Sequence, residues 1–196
     1  MFKNFPLTFT EEVASFITKE YKQSLNILEY GSGGSTILAA LHNKKVITTE
    51  SSSAWLIELM GTYKERNLPG DIIPVFSDIG ETKAWGHPKD DEKWRQWPSY
   101  AVRAWHFCED NNIQPDLVLV DGRFRVACFI ASCVNTEKPI RILFDDYIGR
   151  DYYHVVEKIK EPTQIINNHL AVFDVEPGMV DSKFLLNHLS FFHNPD

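Results

Sequence analysis

Short apolar runs rich in β-branched residues alternate with stretches of helical periodicity along almost the whole chain, and that alternation leaves few folds open. The run Leu117-Val118-Leu119-Val120, entered from Asp116, has no polar face. Such a strand must be covered on both sides, as an interior strand of a parallel sheet is. Comparable runs occupy 25–30, 45–50, 71–76 and 140–144, so five such strands are expected. Pro74 cannot donate to a ladder and places the third run at a sheet edge.

Helices are expected between the strands. Val13, Phe16, Ile17 and Tyr21 share one face of a helix over 11–22. Residues 35–41 form a second, with Ser35 or Thr36 near its start, and Ser53 caps a third bearing Trp55, Leu56, Leu59 and Met60. Further helices are expected over 100–109, 126–134 and 152–160, the last stopping before Pro162. Residues 170–175 and 183–189, separated by Pro177-Gly178, read as a terminal antiparallel hairpin. The expected class is α/β: a three-layer α/β/α arrangement on a mostly parallel sheet of seven strands. One domain is expected over 1–196, with an aromatic-rich insertion at about 80–100.

Composition narrows the partners. A formal net charge of −7 argues against general nucleic-acid binding, which needs a basic face to meet phosphates. No apolar run is long enough to span a bilayer, and residues 1–6 lack the apolar core of a signal peptide. Three cysteines, Cys108, Cys128 and Cys133, without Cys-x-x-Cys spacing, suit reduced thiols and a cytoplasmic location.

The chemistry concentrates at strand ends. Glu29-Tyr30-Gly31-Ser32-Gly33-Gly34-Ser35 follows the first strand and leads into a helix. Glycines there permit positive φ and close backbone approach, and the helix start presents N–H groups without intrahelical partners. Thr36 stands where a dinucleotide fingerprint would carry its third glycine. Glu50, with Ser51 behind it, ends the second strand at the distance where nucleotide-binding sheets grip ribose hydroxyls. Asp78 lies just past the third strand. Asp121 leaves the 116–120 strand in Val120-Asp121-Gly122-Arg123-Phe124-Arg125, and Phe144-Asp145-Asp146-Tyr147 ends the next one.

The first loop resembles the Glu/Asp-x-Gly-x-Gly-x-Ser loop of class I, Rossmann-like S-adenosylmethionine (SAM)-dependent methyltransferases. The chain looks most like small bacterial members of that superfamily whose acceptor is unassigned, and the order of five strands, helices and a terminal hairpin is also theirs. The resemblance implies SAM as cofactor, held by Glu29, Tyr30, Gly31, Ser32, Gly33, Ser35, Thr36, Glu50, Ser51, Asp78 and Asp121. Glu29 falls where the family orients the methionine end, and Asp78 where it often meets the adenine edge. It implies methyl transfer to an oxygen or nitrogen of a small acceptor, with Asp121, Asp145 or Tyr147 taking the proton.

The Asp121 loop resembles the Asp-Gly-x-His-x-Tyr version found in some O-methyltransferases but departs at Phe124 and Arg125, so no general base carries over onto Phe124. Arg123 and Arg125 instead offer fixed cations suited to a carboxylate or phosphate on the acceptor. Catechol-type O-methyltransferases bind magnesium with an Asp and then an Asp-Asn pair; Asp121, Asp145 and Asp146 match those positions with Asp in the last. Three oxygen donors suit a divalent cation, but the expectation is that no metal is used, one aspartate acting as base and the others accepting hydrogen bonds from arginines.

Four of the five tryptophans (Trp85, Trp94, Trp97 and Trp105) fall in or beside the insertion, separated by the charged run Lys89-Asp90-Asp91-Glu92-Lys93. A lid or acceptor pocket using Trp85 and His87 is one reading, and a homodimer interface the other. His154, His169, His188 and His193 form no metal-ligand spacing. Two other functions remain open on these residues: a NAD-dependent oxidoreductase on the same sheet, and a non-catalytic SAM-binding protein whose insertion binds a partner.

Overall fold

The computed structural model describes residues 5–196; residues 1–4, part of the stretch read above for a leader, lie outside the described residues. Seven strands form one sheet: β1 (Asn26–Tyr30), β2 (Lys45–Glu50), β3 (Asp71–Phe76), β4 (Leu117–Val120), β5 (Ile140–Phe144), β6 (Gln164–Ile166) and β7 (Leu170–Val175). Their spatial order is β3-β2-β1-β4-β5-β7-β6, with Pro74 on the edge strand β3. Strands β1 to β5 pair in parallel, whereas β7 runs antiparallel to both β5 and β6.

The apolar run of β4 is explained by its two neighbours in depth. Val118 and Val120 enter a core shared with helices α4 (Pro98–Asp110) and α5 (Arg125–Asn135). Leu117 and Leu119 enter a second core, on the opposite face, shared with α1 (Glu11–Gln23), α2 (Gly34–Leu41) and α3 (Ser53–Glu65). Alternate side chains of a strand point to opposite faces, so a strand covered twice has to be apolar at every position. This is the three-layer Rossmann-like α/β/α arrangement. Among the described residues, no helix is long and apolar enough to cross a membrane.

Three local assignments are corrected. The cap of α3 is Ser52, whose hydroxyl accepts from Trp55 N at 3.2 Å, and not Ser53, which is the first helical residue. Residues Asp151–Lys158 form a 3-10 helix, an outcome that apolar spacing does not distinguish from an α-helix. The hairpin partner of β7 is β6 and not 183–189. Ser182–Asn187 is a short helix, α6, capped by the Asp181 carboxylate accepting from Phe184 N at 2.6 Å. The overlooked signal was Asn167-Asn168. Both residues adopt left-handed backbone (φ 49° and 50°), as a two-residue type I′ turn requires, and His169 N closes it onto Ile166 O at 3.0 Å.

That turn makes a prediction. Asn168→Gly should leave stability unchanged or raised, whereas Asn168→Val should destabilise by about 1–2 kcal/mol, the penalty of a left-handed residue bearing a branched Cβ. Urea denaturation of the two variants measures it; equal stabilities would mean that the turn is not where the hairpin is made.

Candidate active site

The backbone ladder brings the candidate residues to one edge of the sheet. Gly31 N donates to Thr49 O at 3.0 Å, Asp121 N to Tyr30 O at 3.0 Å, and Asp145 N to Val120 O at 3.0 Å. The strand order reverses between β1 and β4, so the crevice of an open α/β sheet opens above these two strands. Their turns meet there. Gly31 has φ +92°, and a Cβ added to it would stand 2.9 Å from Gly122 Cα; one added to Gly122 would stand 2.2 Å from the Tyr100 hydroxyl oxygen. Only glycine at both positions lets the two backbones touch.

The first loop is held from beneath. Glu29 is fully buried, and its carboxylate accepts from the Tyr21 hydroxyl at 2.5 Å and the Thr36 hydroxyl at 2.6 Å. Thr36 Oγ1 in turn accepts from Gly33 N at 3.0 Å. Glu29 is therefore tied into the loop's support, with both oxygens turned inward. Burial pushes its carboxyl up to about 7 against the bonds from Thr36 and Tyr21. The Tyr30 phenol likewise turns inward, donating to Ala101 O at 2.6 Å, so the backbone of Tyr30 is what reaches the sheet edge.

Glu50 faces the other way, toward the glycine loop. One oxygen accepts from Ser32 N at 3.3 Å and Ser32 Oγ at 3.1 Å; the other accepts from Ser51 N at 2.7 Å and Ser52 N at 3.0 Å. The Trp55 indole closes the loop's outer side by donating to Ser32 O at 2.8 Å, with Phe5 packed edge-on against it. Asp78 is engaged by Lys93 of the insertion and by Gly80 N, and the Lys93 ammonium holds its carboxyl below the usual range.

Arg125 organises the acidic side. It is 3% exposed, and donates through Nε to Gly122 O at 3.0 Å and through Nη1 to Asp145 O at 2.6 Å. Its Nη2 lies 3.3 Å from Asp121 Oδ1 and 3.2 Å from Asp146 Oδ2. This guanidinium is a fixed clamp between the β4 and β5 ends, so the structure leaves it no free edge for a substrate. Desolvation and the neighbouring Asp145 charge push the Asp121 carboxyl well up, and burial raises Asp145 too. Tyr147 does not join them: its phenol is buried and donates to Glu157 at 2.9 Å, away from the acids.

Spacing gave no reason to include His169, yet the hairpin turn carries it across the end of β5. Its Nε2 lies 3.3 Å from Asp145 Oδ1 and 3.2 Å from Asp146 Oδ1. The donor atoms of Asp145, Asp146 and His169 all fall within 4.8 Å of one another, so these three can hold a divalent cation. Asp121, the third member of the set drawn from the resemblance, instead meets Arg125 Nη2, which also contacts Asp146.

The insertion folds back over the crevice. Trp85 and Gly86 both take positive φ (63° and 73°), a reversal that turns His87 onto Arg123, Nε2 to Nη1, at 2.7 Å. Trp85 itself is 83% exposed. His87 Nε2 also lies 3.3 Å from Asp196 Oδ1, while burial and the Arg123 charge push its pKa down.

A parallel α/β sheet with a glycine-lined crevice at its switch point and an acid on each flanking strand defines a Rossmann-like ligand-binding protein. Solved structures take this further. The chain is similar to a methyltransferase-like protein from Silicibacter pomeroyi DSS-3, with 36% identity, a TM-score of 0.90, and 98% of this chain and 99% of that one covered. It shares the fold of an O-methyltransferase from Bacillus cereus in complex with SAH, at 15% identity and TM-score 0.61, covering 88% of this chain and 84% of that one. It also shares the fold of cofactor-bound Rv0187 from MTB, at 13% identity and TM-score 0.59, covering 90% and 85%. No protein-family model and no curated protein matches the chain. The chain belongs to the class I, Rossmann-like SAM-dependent methyltransferase superfamily.

The raised carboxyl beneath the loop predicts a pH dependence. Glu29 titrates near its ordinary 4.5 when unfolded and near 7 when folded, so folding favours its protonated form. Its contribution is therefore greatest below pH 4.5 and falls as pH rises toward 7, by roughly 3 kcal/mol at 1.36 kcal/mol per unit. Glu29→Gln should flatten the decline in unfolding free energy between pH 5 and pH 8; an unchanged slope would show that Glu29 is ionised in the folded protein.

Proposed function

We propose that this chain transfers the methyl group of SAM to an oxygen or nitrogen of a small acceptor. The observation that carries the reading is the meeting of two glycine turns at the sheet's switch point, over β1 and β4, with Glu50 turned toward the first of them. A Cβ on Gly33 would meet nothing within 4 Å, so the loop is bare on its open side. Bound SAM supplies an electrophilic methyl group on a sulfonium centre.

The chain's own residues then divide the work. The residue 31–36 loop cradles the cofactor, its first helical N–H groups lacking intrahelical partners. Glu50 accepts the ribose hydroxyls in place of Ser32, with Ser51 beside it, and Asp78 stands toward the adenine end. Glu29 and Thr36 support the loop from below. Asp121, with a quarter of its side chain exposed, accepts the acceptor's proton, while Asp145 and Arg125 fix its position. Alignment of nucleophile and methyl group supplies much of the rate, and a positioned base adds about 10²–10⁴-fold.

Two measurements test this. Calorimetric titration should show saturable binding of SAM and none of NAD; a protein that ignores SAM at millimolar concentration would refute the reading. Asp121→Asn should lower kcat by about 100-fold or more at unchanged SAM affinity. The wild-type rate should also rise with pH through an apparent pKa above the ordinary carboxylate range, a limb that the variant lacks. Wild-type activity in Asp121→Asn would remove Asp121 from the proton path.

A further inference from the structure

Among the described residues, Arg123 is the one arginine at the crevice without a carboxylate partner. Arg125 meets Asp121, Asp145 and Asp146, and Arg150 meets Asp146 at 3.1 Å. Arg123 is only 8% exposed, yet among the described residues no carboxylate lies within 4 Å of its guanidinium. Its Nε is buried without a hydrogen-bond partner, and its Nη1 meets only the imidazole of His87 at 2.7 Å. Burial and the neighbouring Arg125 both push its pKa down, the direction expected of a cation held without a counter-ion. A buried, unpaired guanidinium is costly to keep and marks a place where an anion is expected.

Its surroundings say which ligand brings the anion. Arg123 lies under the insertion: a Cβ on Gly86 would stand 3.8 Å from Arg123 Cγ and 3.6 Å from Ser51 Oγ. The insertion therefore crosses from the end of β2 to Arg123, and its His87 lies against the guanidinium. The cofactor's carboxylate has the start of α2 available to it in the loop of residues 31–36. The Arg123 guanidinium meets the insertion, at His87, and its backbone N donates to the Tyr100 hydroxyl at 3.4 Å.

We infer that Arg123 is the anion-binding residue of the acceptor site, and that the acceptor carries a carboxylate or phosphate group. The anion takes the bidentate edge of the guanidinium, Nε with Nη2, beside the His87 contact at Nη1. This rests on the methyltransferase reading above, which leaves the acceptor's charge open.

Inorganic phosphate and acetate, titrated in parallel by calorimetry with and without saturating S-adenosylhomocysteine, test the inference on the whole chain. Wild type should bind at least one of the two anions saturably, and equally well with the nucleoside bound. Arg123→Met, which keeps the stem and removes the charge, should weaken that binding at least tenfold, and Arg123→Lys should keep part of it. The Tm of Arg123→Met should equal or exceed that of wild type, because an unpaired buried charge is lost. Anion binding unchanged in Arg123→Met, or a lowered Tm there, would overturn the inference. Competition between the anion and S-adenosylhomocysteine, with nucleoside affinity lost in Arg123→Met, would overturn it in favour of the cofactor's own carboxylate. Failure of S-adenosylhomocysteine to bind wild type, with anion binding intact, would refute the methyltransferase reading and leave the anion site standing.

Discussion

The site depends on the contact between two bare backbones, Gly31 after β1 and Gly122 after β4. Any side chain at either position would wedge the turns apart or strike the Tyr100 hydroxyl. The contact fixes the floor of the crevice at the point where the sheet's winding reverses. Around it the fold sets the Ser32–Glu50 contact on one side, the Asp121–Arg125 pair on the other, and the insertion above. Phe124 and Asp146, which follow the β4 and β5 ends, sit in left-handed backbone (φ 53° and 57°). Such conformations are kept only where the surrounding structure over-determines them, and they concentrate at functional sites.

Electrostatics separates support from chemistry. Arg125 and Glu29 are both buried, and each is satisfied within the protein, by carboxylates and carbonyls in the first case and by two hydroxyls in the second. Groups with their bonding capacity spent hold geometry. Asp121, a quarter exposed and raised in pKa by burial and by Asp145, keeps capacity to exchange a proton, and Arg123 keeps a charge to offer.

Most of the fold was legible because its signals are local. Two-sided burial of β4 shows as an unbroken apolar run, and the glycine loop shows as composition between a strand and a helix. The hairpin was half legible: β7 announced itself, but Leu185-Leu186 and Leu189 looked as much like a strand as like the helical turns they form. Asn167-Asn168 held the missing information. Within the site, sequence position put the candidate residues at one edge of the sheet but could not say which way each side chain turns. Tyr147 points into the core, Arg125 is clamped, and Glu29 faces downward, all because of partners on neighbouring elements whose placement only the fold decides. His169 was invisible for the same reason: only the hairpin turn brings it to Asp145 and Asp146.

A crystal structure with S-adenosylhomocysteine bound is the most direct measurement of whether the crevice over β1 and β4 is the cofactor site. The ribose hydroxyls should lie on the Glu50 carboxylate with Ser32 Oγ displaced from it, and the sulfur should lie above the Gly31–Gly122 contact within reach of Asp121. A nucleoside bound elsewhere, with the Ser32–Glu50 hydrogen bonds intact, would contradict the assignment.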